Sequence, residues 1–283
     1  MKPSNHASDR KDAFLPGLEE KCSLIELSLQ AFDRVGIAFS GGVDSTFVAW
    51  FVKEKLRKSV TAFFVDTPFI STAERENAFF IAGRLGLVMD VLEFDPLESE
   101  AVRNNPVDRC YFCKKEVFQR ILTRAREHGC QVILDGSHAG DREGYRPGKK
   151  ALAELDILSP LALAGLEKDE IRNLSRDAGL PNWDKPSQSC LATRIPYGTP
   201  LAQDTLKKIE RAEDLLHELG FTQVRVRCHG DLARIEVPPD DLAALAAPDI
   251  RHQVVKRFQE LGFVHISLDL VGFRSGSWDR GLV

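Results

Sequence analysis

The chain has 283 residues, of which 43% are hydrophobic, and its 38 basic and 42 acidic side chains give a formal net charge of -4. This near balance excludes a strongly basic surface, so we expect no nucleic-acid or membrane partner. The polar start "MKPSNHASDRKD" lacks the apolar core of a signal peptide, and no stretch reaches the roughly 18 apolar residues of a membrane span. We therefore expect a cytoplasmic protein that is long enough for two domains.

The first part of the chain alternates between strand and helix patterns. Short apolar runs predict strands at 34–40, 60–68, 87–95 and 131–137. Helical spacing predicts helices at 17–32, 45–56 and 71–86, and one that follows the loop containing "RCYFCKKEVF" and ends near 128. Ser71, with Glu74 three residues later, is expected to cap the third helix. This alternation predicts an α/β fold with a doubly wound parallel sheet that has helices on both faces.

A change in composition suggests a domain boundary. The stretch "PSQSCLATRIPYGTP" interrupts the pattern with three prolines and a glycine. Beyond it we expect a small α+β domain with helices at 201–219 and 240–261, a hairpin at 223–237 that turns at His229-Gly230-Asp231, and a strand at 263–273. The predicted units are a polar tail at 1–16, a first domain at 17–198 and a second domain at 199–283.

The stretch "SGGVDS", residues 40–45, joins the first strand to the second helix. A strand that feeds a glycine-rich turn and then a helix aims free N–H groups at one point, which suits phosphate. Gly41 and Gly42 allow close approach of an anion, and the hydroxyls of Ser40 and Ser45 can donate to it. Asp44 suits Mg²⁺ or a helix cap. A tight turn without a ligand is the alternative.

"SGGVDS" resembles the PP-loop of the adenine nucleotide α-hydrolase superfamily. This resemblance implies a PP-loop domain that cleaves ATP between the α and β phosphates and transfers AMP to a substrate oxygen. The motif alone does not select a substrate.

Two further stretches, "DGSHAGDREGYRPGKKAL" and "KPSQSCLATRIPYG", resemble the LarE family of sulfur transferases, and the likeness spans essentially the whole chain. LarE proteins act in the synthesis of the nickel-pincer nucleotide cofactor of lactate racemase. The resemblance implies that the carboxylates of a pyridinium biscarboxylate mononucleotide are adenylated and converted to thiocarboxylates. It also implies a hexamer, a second domain that serves substrate binding and oligomerisation, and a position for Asp141 near the ATP phosphates or the metal.

Three of the six cysteines are candidates for sulfur chemistry. Cys110 and Cys113 form a C-x-x-C pair, and Cys190 lies in the proline-bounded loop. Three thiolates can hold a [4Fe-4S] cluster and leave one iron open for a sulfide taken from an external donor. The pair matches the three-cysteine branch of the LarE family, whereas other LarE proteins carry only the cysteine that matches Cys190 and give up its own sulfur. A redox pair or buried thiols remain alternatives.

The remaining cysteines are expected to pack in the core. Cys22 lies among apolar residues of a helix, Cys130 precedes a strand, and Cys228 alternates with two valines of a strand.

Charged residues around the second domain are candidates for substrate binding. Arg225 and Arg227 share one strand face and suit a mononucleotide phosphate, a role that the LarE resemblance also implies. A solvated strand face is the alternative. We expect Glu213 and Glu236 either to join that site or to be ordinary surface residues.

Two arginines beside cysteines are further candidates. Arg194, which follows Cys190, could steer substrate carboxylates or ATP phosphates. Arg109, which precedes Cys110, could do the same or be solvated.

Two other functions remain open at this stage. A tRNA-thiolating enzyme of the same superfamily would combine a PP-loop with clustered cysteines, but it would need a basic surface. A nucleotide sensor or iron-sulfur scaffold would bind without turnover.

Overall fold

A computed structural model describes residues 17–142 and 147–274. Its helices are α1 (Leu18–Leu29), α2 (Val43–Trp50), α3 (Thr72–Arg84), α4 (Glu100–Arg103), α5 (Arg109–Glu127), α6 (Gly148–Glu154), α7 (Pro160–Leu163), α8 (Lys168–Asp177), α9 (Gln203–Glu218), α10 (Leu242–Ala246) and α11 (Pro248–Glu260). Its strands are β1 (Arg34–Ala38), β2 (Ser59–Asp66), β3 (Val88–Glu93), β4 (Val132–Leu134), β5 (Arg225–His229), β6 (Leu232–Glu236) and β7 (His265–Leu268). The predicted tail 1–16, together with 143–146 and 275–283, lies outside the described residues.

The first four strands form a parallel sheet in the order β3-β2-β1-β4. Side chains alternate across a strand, and in β2 both sets are buried: Ala62 and Phe64 pack in one hydrophobic cluster, while Phe63 and Val65 pack in another. The first cluster includes residues of α1, α2, α3 and α8, and the second includes residues of α5. The predicted α/β fold, with a parallel sheet covered on both faces, is confirmed.

The strand order determines where the SGGVDS loop, residues 40–45, lies relative to the sheet, and we call it the phosphate loop below. β1 pairs with β2 on one side and β4 on the other, so the chain connections diverge there. In open parallel sheets ligands bind outside the carboxyl ends of the strands at such a point. The SGGVDS loop follows β1 at this position.

A second sheet contains β5, β6 and β7 in that order, with β5 antiparallel and β7 parallel to β6. The predicted hairpin is present, and it turns at Gly230-Asp231. Together with α9, α10 and α11 the sheet encloses a separate hydrophobic cluster. Leu191, Ala192 and Ile195 belong to this cluster, so the segment around Cys190 packs against the second sheet's core.

Three helix predictions were wrong in detail. The C-x-x-C pair does not lie in a loop but in the first turns of α5, which begins at Arg109. Cysteine and aromatic residues have modest helix propensity, and this helix start depends on packing against distant segments. The helix predicted at 45–56 begins earlier, at Val43, and its end over Phe51–Lys55 is a wider π-helix. The helix predicted at 240–261 is interrupted before Pro248, because the residue preceding a proline avoids helical geometry.

The cap predicted for α3 is present, since Ser71 Oγ accepts a hydrogen bond from the Glu74 amide. The three cysteines assigned to the core are all at least partly buried: Cys228 lies inside the second sheet's core, and Cys22 and Cys130 pack against the edges of the first sheet's two clusters.

Candidate active site

The phosphate loop is fixed by packing as well as by its own bonds. Gly41 has φ 68°, and a Cβ at this position would come within 2.5 Å of the Ala78 Cα in α3, so only glycine fits. The Gly41 carbonyl accepts hydrogen bonds at 2.9 Å from both Asn77 Nδ2 and Asn182 Nδ2. These two amides hold the peptide in one orientation. They come from α3 and from the segment after α8, and no local motif marked them.

The two loop serines contact each other across the turn. Their Oγ atoms lie 3.1 Å apart, the Ser40 amide donates to Ser45 Oγ at 3.3 Å, and the Gly42 amide donates to Ser40 Oγ at 3.3 Å. Gly42 is the N-cap of α2 and offers no side chain for capping. Hydroxyls and amides therefore meet at a helix N-terminus, a geometry that suits phosphate oxygens.

Asp44 forms an ion pair that the sequence did not indicate. Lys168 Nζ, at the start of α8, lies 2.7 and 2.6 Å from the two carboxylate oxygens of Asp44. The expectation that Asp44 caps α2 was wrong, because the cap position is Gly42 and Asp44 lies inside the first turn. Its carboxylate lines both cavities that border the loop.

Two cavities border this loop, and Ser40, Gly42 and Asp44 line both. The first, of about 300 Å³, extends from the loop to the segment 185–191 and to α9, and Cys190 is in its wall. The second, of about 260 Å³, lies over the end of β4. A nucleotide on the loop would thus have space on one side that leads to Cys190.

The second cavity brings acidic residues near the loop. Asp135, at the end of β4, is buried and accepts a hydrogen bond at 2.6 Å from Ser159 Oγ. Asp141 also lines this cavity, and its Oδ2 accepts from the His138 amide at 3.1 Å. Lys114 Nζ lies 4.0 Å from Asp135 Oδ2. Asp135 and Lys114 were not among the sequence candidates.

Two segments far apart in sequence are joined beside the cysteines. The Gly198 amide donates to the Asn105 carbonyl at 2.8 Å, the Leu201 amide donates to the Arg103 carbonyl at 2.8 Å, and the buried Asn105 Nδ2 donates to the Pro196 carbonyl at 2.8 Å. Arg109 Nη1 donates to the Ala192 carbonyl at 3.2 Å. These bonds bring the start of α5 against the segment that follows Cys190.

The three candidate cysteines interact electrostatically. The pKa of Cys113 is raised to about 12, first by burial and then by the like charges of Cys190 and Cys110, while Arg109 opposes the shift. Cys113 and Cys190 also pack against the same hydrophobic cluster. Within the described part of the chain, no group of three or more His, Cys, Asp or Glu side chains encloses a site for one metal ion. A cluster differs from a single ion because each thiolate binds a different iron.

The candidate arginines are all buried, so the solvated alternatives for Arg109, Arg225 and Arg227 were wrong. Arg194 Nη2 lies 2.9 Å from Glu213 Oε2, and Arg227 Nη2 lies 2.8 Å from Glu236 Oε2.

Glu213 and Glu236 are also buried, so the alternative that they are ordinary surface residues was wrong. The Val226 amide also donates to Glu213 Oε1 at 2.8 Å, so this carboxylate ties α9 to β5 as well as to Arg194. In both pairs the nitrogen–oxygen distances, 2.9 and 2.8 Å, are those of charge-assisted hydrogen bonds.

Arg225 differs from these pairs. It is 4% exposed and donates to the carbonyls of Val224 at 2.7 Å and Ser187 at 3.2 Å, and its guanidinium lies 5.1 Å from the centre of the Phe273 ring. Burial, followed by the like charge of Arg194, lowers the pKa of Arg225 to about 10. Its hydrogen-bond partners are neutral carbonyls, and Glu213 and Glu236 act on its charge only through electrostatic interaction.

An acidic face of α9 lines the first cavity with Glu210, Glu213 and Asp214. Partial burial, together with the charges of Glu210, Glu213 and Glu218, raises the pKa of Asp214, and His217 opposes this. A carboxyl whose pKa is higher in the folded than in the unfolded chain destabilises the fold once it is ionised.

We therefore expect Asp214→Asn to raise the melting temperature at neutral pH. The gain should shrink as the pH falls through the raised pKa, because wild-type Asp214 is then protonated as well. Thermal melts across a pH series measure this. Asp204→Asn, an exposed change in the same helix, should give no gain, and an equal effect of both variants would contradict the assignment.

Comparisons with known proteins agree with this fold. A family model described as asparagine synthase matches residues 25–208. An uncharacterized protein of Synechocystis sp. is 37% identical over 265 residues, which cover 94% of this chain and 99% of that protein. The pyridinium-3,5-bisthiocarboxylic acid mononucleotide synthase of Lactiplantibacillus plantarum is 36% identical over 260 residues, 92% of this chain and 94% of that protein. A tRNA-specific 2-thiouridylase of Caldanaerobacter subterraneus is 26% identical over 227 residues, 65% of this chain and 62% of that protein.

A parallel sheet whose first strand feeds an SGGVDS loop, matched by this family model over most of the chain, defines an enzyme of the PP-loop class. The similarity to the Lactiplantibacillus synthase covers 92% of this chain. The chain belongs to the LarE family of ATP-dependent sulfurtransferases. In the described residues, no helix combines the length and apolarity needed to cross a membrane.

Proposed function

We propose that the chain converts the carboxylates of pyridinium-3,5-biscarboxylic acid mononucleotide to thiocarboxylates, with sulfur delivered through a [4Fe-4S] cluster on Cys110, Cys113 and Cys190. In each cycle a substrate carboxylate oxygen attacks the α-phosphorus of ATP and pyrophosphate leaves. A sulfide then attacks the adenylated carbonyl carbon and AMP leaves. The observation that carries the proposal is the shared cavity that joins the phosphate loop to Cys190.

The loop supplies the groups that the first step needs. Amides at the start of α2 and the hydroxyls of Ser40 and Ser45 would bind phosphate oxygens. Asp44 would hold Mg²⁺, which would supply positive charge to the phosphates, and Asp141 lines the same second cavity. Lys168, which now neutralises Asp44, is close enough to contribute positive charge to the same phosphates.

The chemistry of the donor set supports the cluster proposal. Cys113 interacts electrostatically with Cys110 and Cys190, and a nearby cation, Arg109, interacts with all three thiols. A [4Fe-4S] cluster bound by three cysteines has one iron without a protein ligand, and that iron can carry the sulfide to be transferred. Because the Cys113 thiol has a raised pKa, iron binding there must displace a proton. Sulfide or a sulfur donor is then the second substrate.

The second sheet supplies the proposed anchor for the substrate phosphate. Arg225 carries a buried charge whose hydrogen bonds go to neutral carbonyls, and the charges of Arg194, Glu213, Arg227 and Glu236 act on it electrostatically. A phosphate would provide a negatively charged hydrogen-bond partner. A homo-oligomer in which this domain assists assembly is part of the same proposal.

The products of ATP cleavage test the first step. We expect AMP and pyrophosphate in the presence of Mg²⁺ and the mononucleotide, and a loss of about 10- to 100-fold in Ser45→Ala, because a hydrogen bond to a charged group contributes about 1.5 to 3 kcal/mol. Chromatography of the nucleotides and a pyrophosphate assay measure both. Ser23→Ala, an exposed change in α1, is the control. Formation of ADP and orthophosphate would contradict the proposal.

The similarity to a tRNA-specific 2-thiouridylase supports tRNA as a second candidate substrate. The net charge of -4 favours the mononucleotide. Pyrophosphate release that depends on unmodified tRNA and not on the mononucleotide would reverse this choice. Binding of ATP without any release would instead indicate a sensor or a scaffold.

A further inference from the structure

Arg109 is one of the most deeply buried large side chains of the structure, with 2% of its surface exposed. Its hydrogen bonds go to the Asn105 Oδ1 atom and, at 3.2 Å, to the Ala192 carbonyl. Its Nη2 atom lies 3.9 Å from Cys110 Sγ, and the guanidinium lies 5.8 Å from the centre of the Tyr197 ring. Among the described residues, none of these partners is a carboxylate.

This environment differs from that of two other buried arginines. Arg194 and Arg227 each contact a glutamate within 3 Å, as a buried cation requires. A buried charge whose partner is absent costs several kcal/mol, so a protein that keeps one has a negative group to place beside it. For Arg109, a group that can become negative lies within 4 Å, namely the sulfur of Cys110.

The guanidinium contacts two parts of the proposed sulfur centre. Its Nη2 atom lies 3.9 Å from Cys110 Sγ, and its Nη1 atom donates to the carbonyl of Ala192, two residues after Cys190. Arg109 is in neither of the two cavity walls that contain the phosphate loop. The roles of Arg109 in steering ATP phosphates or substrate carboxylates stay predictions from the sequence.

We infer that Arg109 is the charge partner of the anionic sulfur centre at Cys110, Cys113 and Cys190, and that it positions and neutralises the cluster and the sulfide on its open iron. This inference rests on the proposed cluster function. Arg109 acts through the cluster ligands and is a positioning residue. Its fixed positive charge stabilises the more negative forms of the centre, which are the reduced cluster and the cluster with bound hydrosulfide.

Variants that separate charge from shape test the inference. Arg109→Gln keeps a hydrogen-bond donor without the charge, and Arg109→Lys keeps the charge without the planar set of N–H donors of the guanidinium. In anaerobically reconstituted protein, Arg109→Gln should lower the midpoint reduction potential of the cluster and weaken hydrosulfide binding at least about tenfold, by the removal of roughly 1.4 kcal/mol of attraction. Arg109→Lys should remain close to wild type in both measurements. Arg126→Gln, an exposed change in the same helix, is the matched control and should change neither.

A second measurement separates this role from a purely structural one. In the apo-protein the Arg109 charge has no full counter-charge, so Arg109→Gln should lower the melting temperature less in apo- than in reconstituted protein. An equal loss in both forms, or an unchanged potential in Arg109→Gln, would overturn the inference. If Arg109→Gln does not fold, Arg109→Lys alone tests the inference. A reduction potential close to that of wild type in Arg109→Lys would support the inference, and a clearly lowered potential would overturn it.

Failure of the inference and failure of the proposed function give different results. If wild-type protein binds the cluster and transfers sulfur but the variants leave the potential unchanged, only the role of Arg109 is wrong. If wild-type protein retains no iron after reconstitution, the cluster proposal fails and the inference fails with it.

Discussion

Replacement of any one of Cys110, Cys113 and Cys190 by alanine is expected to abolish both cluster retention and sulfur transfer. Two protein ligands would hold a [4Fe-4S] cluster poorly, and the missing ligand would leave a second iron open. Wild-type protein purified without oxygen should be brown and contain about four irons per chain, whereas each variant should be nearly colourless and inactive. Iron analysis, the visible absorption spectrum and a sulfur-transfer assay measure the three effects.

Controls for this experiment come from the same chain. Cys22→Ala and Cys130→Ala change partly buried cysteines at the edges of hydrophobic clusters and should keep the iron and the activity. The sacrificial alternative predicts another pattern, in which Cys190→Ala is inactive while Cys110→Ala and Cys113→Ala retain a single turnover. That pattern would contradict the cluster while it preserved the sulfurtransferase assignment.

Methionine replacements of Arg225 and Arg227 should differ in their effects on substrate affinity and on the free energy of unfolding. Arg225 has only neutral contacts, so Arg225→Met should leave the free energy of unfolding unchanged or raise it. The same change should weaken binding of the mononucleotide about 10- to 100-fold, since a charge-assisted bond to phosphate is worth about 1.5 to 3 kcal/mol.

Arg227→Met should behave differently. It removes the partner of Glu236 and leaves a buried carboxylate with Arg234 alone, which contacts its Oε1 at 3.1 Å. We expect a loss of about 3 kcal/mol in the free energy of unfolding, near the lower end for a broken buried ion pair. Denaturant titrations and equilibrium binding of the mononucleotide measure both quantities, with ATP affinity as an internal control. Equal destabilisation by both variants, with unchanged substrate affinity in Arg225→Met, would contradict the proposed phosphate-binding site at Arg225.

Local patterns were sufficient to predict the sheet and the loop. The first four strands are short apolar runs, and a run buried on both faces implies helices on both sides. SGGVDS is also local, because the glycines, the hydroxyls and the helix start lie within six positions. Arg225 and Arg227 could be placed on one strand face from the period of two, but no local pattern indicates that this face is buried.

Features that depend on distant contacts could not be predicted. The start of α5 is attached to the Cys190 segment through Asn105 and Arg109, and Lys168 reaches Asp44 from a helix more than 100 residues away in the chain. Asn182 likewise fixes the Gly41 carbonyl from a remote segment. In each case the residue type is ordinary for a surface, and only the fold gives it a role. The same holds for Glu213 and Glu236, whose burial beside arginines makes them ion-pair partners.

Mass spectrometry of the chain after several turnovers tests the central claim most directly. If the sulfur passes through a cluster, more than one sulfur atom should be transferred per chain in the presence of sulfide, and Cys190 should retain its full mass. An external sulfide replaces the one consumed, and no bond of the polypeptide is broken. Loss of the mass of one hydrogen sulfide from Cys190, with product limited to one sulfur per chain, would contradict delivery through the cluster and identify Cys190 as the donor.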